Sequence, residues 1–118
     1  MNVLIVENHS SLGAVWRDHI GRLGANACLA HTQADAIEAL REDEFEILIL
    51  NLGLSDGGAL AIADYASYRQ PNTKVIFVTS DSFFSDGSIF QYMSNACAMV
   101  PGETPPEDLA AIVDYHGR

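Results

Sequence analysis

The sequence predicts an α/β fold, with five β-α units wound into one parallel sheet and helices on both of its faces. Three features of the chain point there. Residues 3–6, 47–50 and 75–78 are short unbroken runs of Val, Ile, Leu and Phe, the pattern of strands buried on both faces. Between these runs lie segments whose apolar residues recur at intervals of three and four. The connections are short, with no low-complexity stretch or linker, so the alternation runs through all 118 residues. A single domain over residues 1–118 is therefore expected.

The elements follow in order. After the first run, Leu12, Val15, Trp16, Ile20 and Leu23 repeat at helical spacing, and Gly24 supplies a stop. Residues 27–30 have small side chains and suit an edge strand. Thr32 and Asp35 form a T-x-x-D capping box ahead of Ala36, Ile37 and Leu40. The second strong run comes next, followed by a helix with Leu60, Ala63 and Ala66 inward, ended before Pro71. After the third run a helix is expected around residues 87–93, with Phe90 and Met93 inward. Residues 96–100 form the second edge strand. Thr104 and Glu107 make another capping box, with Pro105 and Pro106 suited to a first turn. Leu109, Ile112, Val113 and His116 mark the last helix.

With the strongest runs first, third and fourth, the strand order is expected to be 2-1-3-4-5, the flavodoxin-like arrangement. That order places Cys28 and Cys97 on opposite edges, as small buried apolar residues that form no bond with each other. In this topology ligands gather where the winding reverses, at the carboxyl ends of the first and third strands. The residues standing there are Glu7, Asn8 and Asn51.

Charge narrows the functional classes. Sixteen acidic residues against six basic ones give a formal net charge of −10, and the few Lys and Arg are scattered. Direct nucleic-acid binding and attraction to an anionic membrane are both disfavoured. The acidity either steers the chain toward a basic protein patch or keeps a small protein soluble. No stretch approaches the ~20 apolar residues of a membrane span, and MNVLIVEN carries no basic n-region or cleavage site. A cytoplasmic location is expected. His9, His19, His31 and His116 lack a metal-binding spacing. His9 is expected in an exposed loop and Trp16 in the core.

Four segments then carry a family likeness: LIVEN at the start, ILILNLGLSDGGAL in the middle, VIFVTS after it and TPPEDL near the end. With these the chain resembles the CheY-like receiver domain of response regulators in two-component signalling. The resemblance covers nearly the whole chain, with a length difference of about one residue between Thr79 and Ala96. A working receiver has an acidic pair after the first strand, an aspartate nucleophile ending the third, and a hydroxyl ending the fourth. A lysine follows the fifth. Here Glu7 keeps one acid and Asn8 stands where the second belongs. Asn51 occupies the phosphoacceptor position, Thr79 keeps the hydroxyl, and Gly102 falls where the lysine should be. Met99 takes the position at which many receivers carry an aromatic switch residue.

The chemical consequences are separable. An aspartyl phosphate needs a carboxylate nucleophile, and an amide has no anionic oxygen to offer. Mg²⁺ is held through carboxylates and water, and the matched positions supply one formal negative charge where the family supplies three. One unit-charge pair at ~4 Å is worth about 4 kcal/mol at an effective dielectric of ~20, so metal binding is expected to be weak or absent. Lys74 is no substitute for the missing lysine, being at the opposite end of the sheet. Family members usually follow the lysine with a proline after a cis peptide. Here Glu103 follows Gly102, and a trans bond is expected.

The sequence thus reads as a degenerate receiver: a non-enzymatic, phosphorylation-independent protein–protein interaction module in bacterial signalling. Its implied partner is a histidine kinase, another regulator, an output domain or a second copy in a homodimer. Two other readings stay open. One is residual phosphotransfer through a substitute acceptor such as Asp56. The other is a small-ligand or nucleotide-binding flavodoxin-like domain, although ENHSSLG is not a Gly-rich phosphate loop and Ser10-Ser11 would hold an anion only weakly. Phe83 and Phe84 either pack inward or divide between the altered pocket and a partner. Through the resemblance, Phe84, Phe90, Tyr92, Met99 and Tyr115 are the candidate partner surface.

Overall fold

The computed structural model describes residues 1–54, 58–79 and 95–117. Five strands, β1 (Asn2–Val6), β2 (Asn26–Ala30), β3 (Ile47–Asn51), β4 (Lys74–Thr79) and β5 (Ala96–Pro101), form one sheet. Every pairing is parallel and the order is β2-β1-β3-β4-β5, as the run strengths predict. The helices described are α1 (Ser10–Gly21), α2 (Gln33–Glu42), α3 (Ala59–Arg69) and α4 (Pro106–His116). The helix expected around residues 87–93, with Phe90 and Met93, lies outside the described residues.

Alternate strand residues serve opposite faces, because successive side chains of a strand point to opposite sides. Leu4, Val6, Leu48, Leu50, Val75 and Phe77 join Ala36 and Leu40 of α2 and Ile62, Ala63 and Ala66 of α3 in one core. Val3, Ile5, Ile47, Ile49, Ile76 and Val78 join Trp16 and Ile20 of α1 and Leu109 and Val113 of α4 in the other. Both faces are dry, which is why the strand runs show no polar alternation.

The helix stripes need correction. Val15, Leu23 and Leu60 are 41%, 42% and 46% exposed. On α1 the buried line is Gly13, Trp16 and Ile20, so the inward face is narrower than its apolar content suggests. Leu23 lies beyond the end of α1, where the chain turns through Gly24 at φ 86°, a conformation glycine adopts without penalty. On α3 the inward residues are Ala59, Ile62, Ala63 and Ala66. Small residues allow α3 to sit close to the sheet and leave Leu60 on the outer side.

Of the two expected capping boxes, the first forms its Thr cap and the second does not. Thr32 Oγ1 accepts from the Asp35 N–H at 3.1 Å. Thr104 instead donates its hydroxyl to the Pro101 carbonyl at 2.6 Å, and Pro105 is the N-cap of α4 at ψ 142°. The cause is Pro106, whose ring disfavours helical backbone at the residue before it. The helix therefore starts one residue later than the box requires.

The cysteines lie on opposite edges and both are free, as expected, but neither is fully buried: Cys28 is exposed and Cys97 half-buried. Cys97 is the extra residue of a β-bulge, since Val75 pairs with Ala96 and Ile76 with Ala98. Asn95 sets the entry to this strand. Its backbone carbonyl accepts from Val75 N at 2.9 Å. Its side chain donates to the Thr73 carbonyl at 3.0 Å and accepts from Ser67 Oγ at 2.9 Å.

At the amino end of the sheet Gln70 ties two loops together. Its Nε2 donates to the carbonyls of Leu40 and Asp43, at 2.7 and 2.6 Å, and its Oε1 accepts from Phe45 N at 2.9 Å. Lys74 Nζ donates to the carbonyl of His116 at the end of α4, at 2.9 Å, so it belongs to this end, as expected. Among the described residues no helix is long and apolar enough to cross a membrane.

Two outcomes are expected. Gln70→Ala leaves part-buried backbone groups of Leu40 and Phe45 without their partner and lowers unfolding stability by about 1–3 kcal/mol, read as a lower urea midpoint with an unchanged slope. Burial pushes the Cys97 thiol up, only partly offset by Lys74, so less thiolate is present at any given pH. Brief iodoacetamide treatment of the folded protein near pH 8 should label Cys28 about tenfold faster than Cys97, measured by peptide mass.

Candidate functional site

Parallel strands deliver their carboxyl ends to one edge of the sheet, and here β1 and β3 lie side by side with Val6 opposite Leu50. The next residue on each strand is polar: Glu7 and Asn51. Glu7 is fully buried. Its backbone N–H donates to Ala30 O at 3.0 Å. His31 Nδ1 lies 3.0 Å from its carbonyl oxygen. A carbonyl only accepts, so Nδ1 carries the proton.

The Glu7 carboxylate is held by two N–H donors. Oε1 accepts from the backbone of His9 at 3.0 Å and Oε2 accepts from Asn51 Nδ2 at 2.6 Å. Asn51 Oδ1 in turn accepts from Gly53 N at 2.8 Å. This chain of bonds fixes the amide orientation, since the reverse flip would set oxygen against carboxylate and NH₂ against N–H. The bond between the side chains is charge-assisted and correspondingly short. The Asn51 amide thus presents a hydrogen-bond donor to the buried acid of the pocket.

A cleft of about 370 Å³ opens over this pair, lined among others by Asn8, His9, Trp16, Gly102 and Glu103. Asn8 follows Glu7 directly, and its Oδ1 is buried without a partner. His9 is exposed, as expected, and is the N-cap residue of α1 without using its side chain. Gly102 brings only backbone to the cleft, its N–H donating to Thr79 O at 2.8 Å. Thr79 ends β4, buried and paired with Pro101 across the sheet. No cis peptide bond occurs among the described residues.

The sequence positions therefore converge in part. Glu7, Asn8, Asn51 and Gly102 line one cleft, with Thr79 bonded to the backbone of Gly102. Met99 sits apart, opposite Phe77 in β5 and packed against the core on the α2–α3 side. Tyr115 is 73% exposed on α4, its ring edge-on to His116. Phe83, Phe84, Phe90, Tyr92 and Asp56 lie outside the described residues.

Two residues of the site escape a reading by spacing. Trp16 is in the core as expected, yet it also lines the cleft, and its indole N–H has no partner. His31 enters through the register of β2 with β1, which places Ala30 beside Val6. A Trp two helical turns into α1 was the available signal for the first; no pattern in the sequence marks the second.

This donor set does not fit a hard divalent cation. Mg²⁺ calls for oxygen ligands in near-octahedral order. Here the one carboxylate at the strand ends already accepts two N–H bonds, and Asn51 turns its NH₂ group toward it. Among the described residues no group of three or more His, Cys, Asp or Glu is arranged to hold a metal.

No protein-family model matches the sequence, and neither does any curated protein. Solved structures do match in fold. A CheY-like receiver domain protein from Methanospirillum hungatei is 19% identical, with a TM-score of 0.87 over 98% of this chain and 92% of its own. The non-phosphorylated HemR receiver domain from Leptospira biflexa is 17% identical, with a TM-score of 0.87 over 98% and 93%. The response regulator TrrA from Thermotoga maritima, in complex with Mg²⁺ and BeF, is 15% identical, with a TM-score of 0.83 over 98% and 97%. The chain has the receiver fold, as the sequence resemblance implies.

Asn51→Asp tests the geometry directly. It replaces a donor by a second carboxylate beside Glu7, and like charges this close raise the proton affinity of the pair. The variant should be less stable than the native chain by about 1–3 kcal/mol near pH 7. A raised folded-state affinity adds stability below the unfolded carboxyl value and loses it as pH rises through the folded one. The deficit should therefore shrink as pH falls toward ~4. Added Mg²⁺ should raise the melting temperature of the variant and leave the native one unmoved.

Proposed function

We propose that this chain is a receiver-like signalling module that works without phosphotransfer, as a non-enzymatic protein–protein interaction unit in the cytoplasm. The observation that carries the reading is the bond from Asn51 Nδ2 to Glu7 Oε2. At the position where a receiver needs an anionic nucleophile, the chain presents an amide whose oxygen is already engaged by Gly53 N. Gly102 adds no side-chain charge to bind a phosphoryl group, and the carboxylate count argues for weak Mg²⁺ affinity. In this reading α4, with Tyr115 projecting from it, belongs to the surface a kinase, regulator, output domain or second copy would meet. The acidic balance of the chain favours a basic partner patch.

Retained phosphotransfer is the second reading, because similar folds carry the chemistry. A response regulator from Burkholderia pseudomallei of the same fold holds a phosphorylated aspartic acid. Thr79 also keeps a hydroxyl at the end of β4 in this chain.

Intact-protein mass after incubation with Mg²⁺ and acetyl phosphate separates the two, with Asn51→Asp and an established receiver run alongside. The native chain should remain unmodified while the established receiver gains one phosphoryl group. Stable addition of one such group to the native chain would refute the first reading and direct mapping to Asp56.

A further inference from the structure

The sheet has two edges, and they are built differently. The β5 edge carries a bulge at Cys97 and ends in a proline, Pro101. Bulges and prolines are devices that keep an edge strand from pairing with another chain. The β2 edge has neither. Its residues Asn26, Ala27, Cys28, Leu29 and Ala30 pair with β1 in unbroken register and bear no charge and no proline.

Two bonds fix the direction of the β2 backbone groups. Asn26 N donates to Met1 O and Glu7 N donates to Ala30 O, so residues 26, 28 and 30 turn their N–H and C=O toward β1. Ala27 and Leu29, between them, turn theirs to the open side. Cys28, midway along the strand, is exposed. An open groove of about 770 Å³ lies between the end of α1 and this strand, lined by Arg17, Asp18 and Arg22 and by residues 25–28. The groove bears both signs of charge, so it complements itself when reversed. It also holds two of the chain's six basic residues, and for a chain of net charge −10 a second copy meets less repulsion here.

We infer that β2 is the docking edge for a second copy of this chain, the two β2 strands running antiparallel about a two-fold axis at Cys28. On each side of the axis, Ala27 of one copy and Leu29 of the other exchange both of their outward backbone bonds. Cys28 meets the partner's Cys28 as a non-hydrogen-bonded pair, with Cα atoms ~4.5 Å apart. Two five-stranded sheets then join into one, and the small side chains of Ala27 and Cys28 let the strands approach. The pairing holds whether or not phosphotransfer is retained, and it leaves α4 to a partner other than a second copy.

Sedimentation equilibrium of the full chain in reducing buffer tests the pairing, with circular dichroism to check that each variant is folded. The native protein should pass from monomer to dimer as its concentration rises from ~10 μM to ~1 mM. Over the same range the Ala27 and Leu29 amides should gain protection from hydrogen exchange. Cys28→Ser should dimerise as the native chain does. Cys28→Lys sets two ammonium groups opposite each other on the axis and should weaken the dimer by about tenfold or more, although it reduces the overall charge repulsion. Tyr115→Lys, at an exposed position of α4, should not weaken it. A native chain that stays monomeric up to ~1 mM overturns the proposal and leaves the edge to an extended segment of another protein. A dimer that resists Cys28→Lys overturns it too, as does one that forms without protecting Ala27 and Leu29. That exchange pattern belongs to the native chain, so it decides the matter even if a variant fails to fold.

Discussion

A parallel sheet must be covered on both faces, because its crossover connections carry helices to each side and its strands are apolar throughout. That constraint organises this molecule. It requires the unbroken runs of β1, β3 and β4 and sends Leu4, Leu48 and Phe77 toward α2 and α3. It sends Ile5, Ile49 and Val78 toward α1 and α4. It also reverses the winding between β1 and β3, and there the apolar run ends on both strands at once. Glu7 and Asn51 are the first polar residues past that limit. Their meeting is a product of register rather than of either sequence segment alone.

What they form together is a substitute for a cation. Two carboxylates at neighbouring strand ends would need a positive charge between them; one carboxylate and one amide need nothing further. The Asn51 N–H supplies the electropositive contact, and Gly53 N holds the amide in that sense. At the strand ends the pocket is arranged by neutral groups around one buried acid, Glu7.

Strand order, both edges and the strand ends at which Glu7 and Asn51 meet were legible in the sequence because burial on two faces leaves a strong compositional mark. The helix faces were less so. Val15, Leu23 and Leu60 satisfy the periodicity that marks a core stripe, yet each is more than two-fifths exposed. The inward line is drawn instead by small residues, Gly13 on α1 and Ala59, Ala63 and Ala66 on α3, whose hydrophobicity understates their role in close packing. Thr104 shows the same limit for local motifs, since a capping box depends on where the helix starts and Pro106 moves that start. The direction of the Asn51 amide could not be read at all, because it depends on a backbone N–H two residues away in the folded turn.

The bond between Asn51 and Glu7 differs from an acyl phosphate in one further respect. A covalent mark on a side chain has a lifetime, and during that lifetime the protein remembers an event that has ended. A hydrogen bond between two side chains re-forms as soon as it is broken and records nothing. A pocket built on Asn51 Nδ2 and Glu7 Oε2 therefore has no memory of its own. Whatever it reports can last only as long as the molecule or partner that is bound to it.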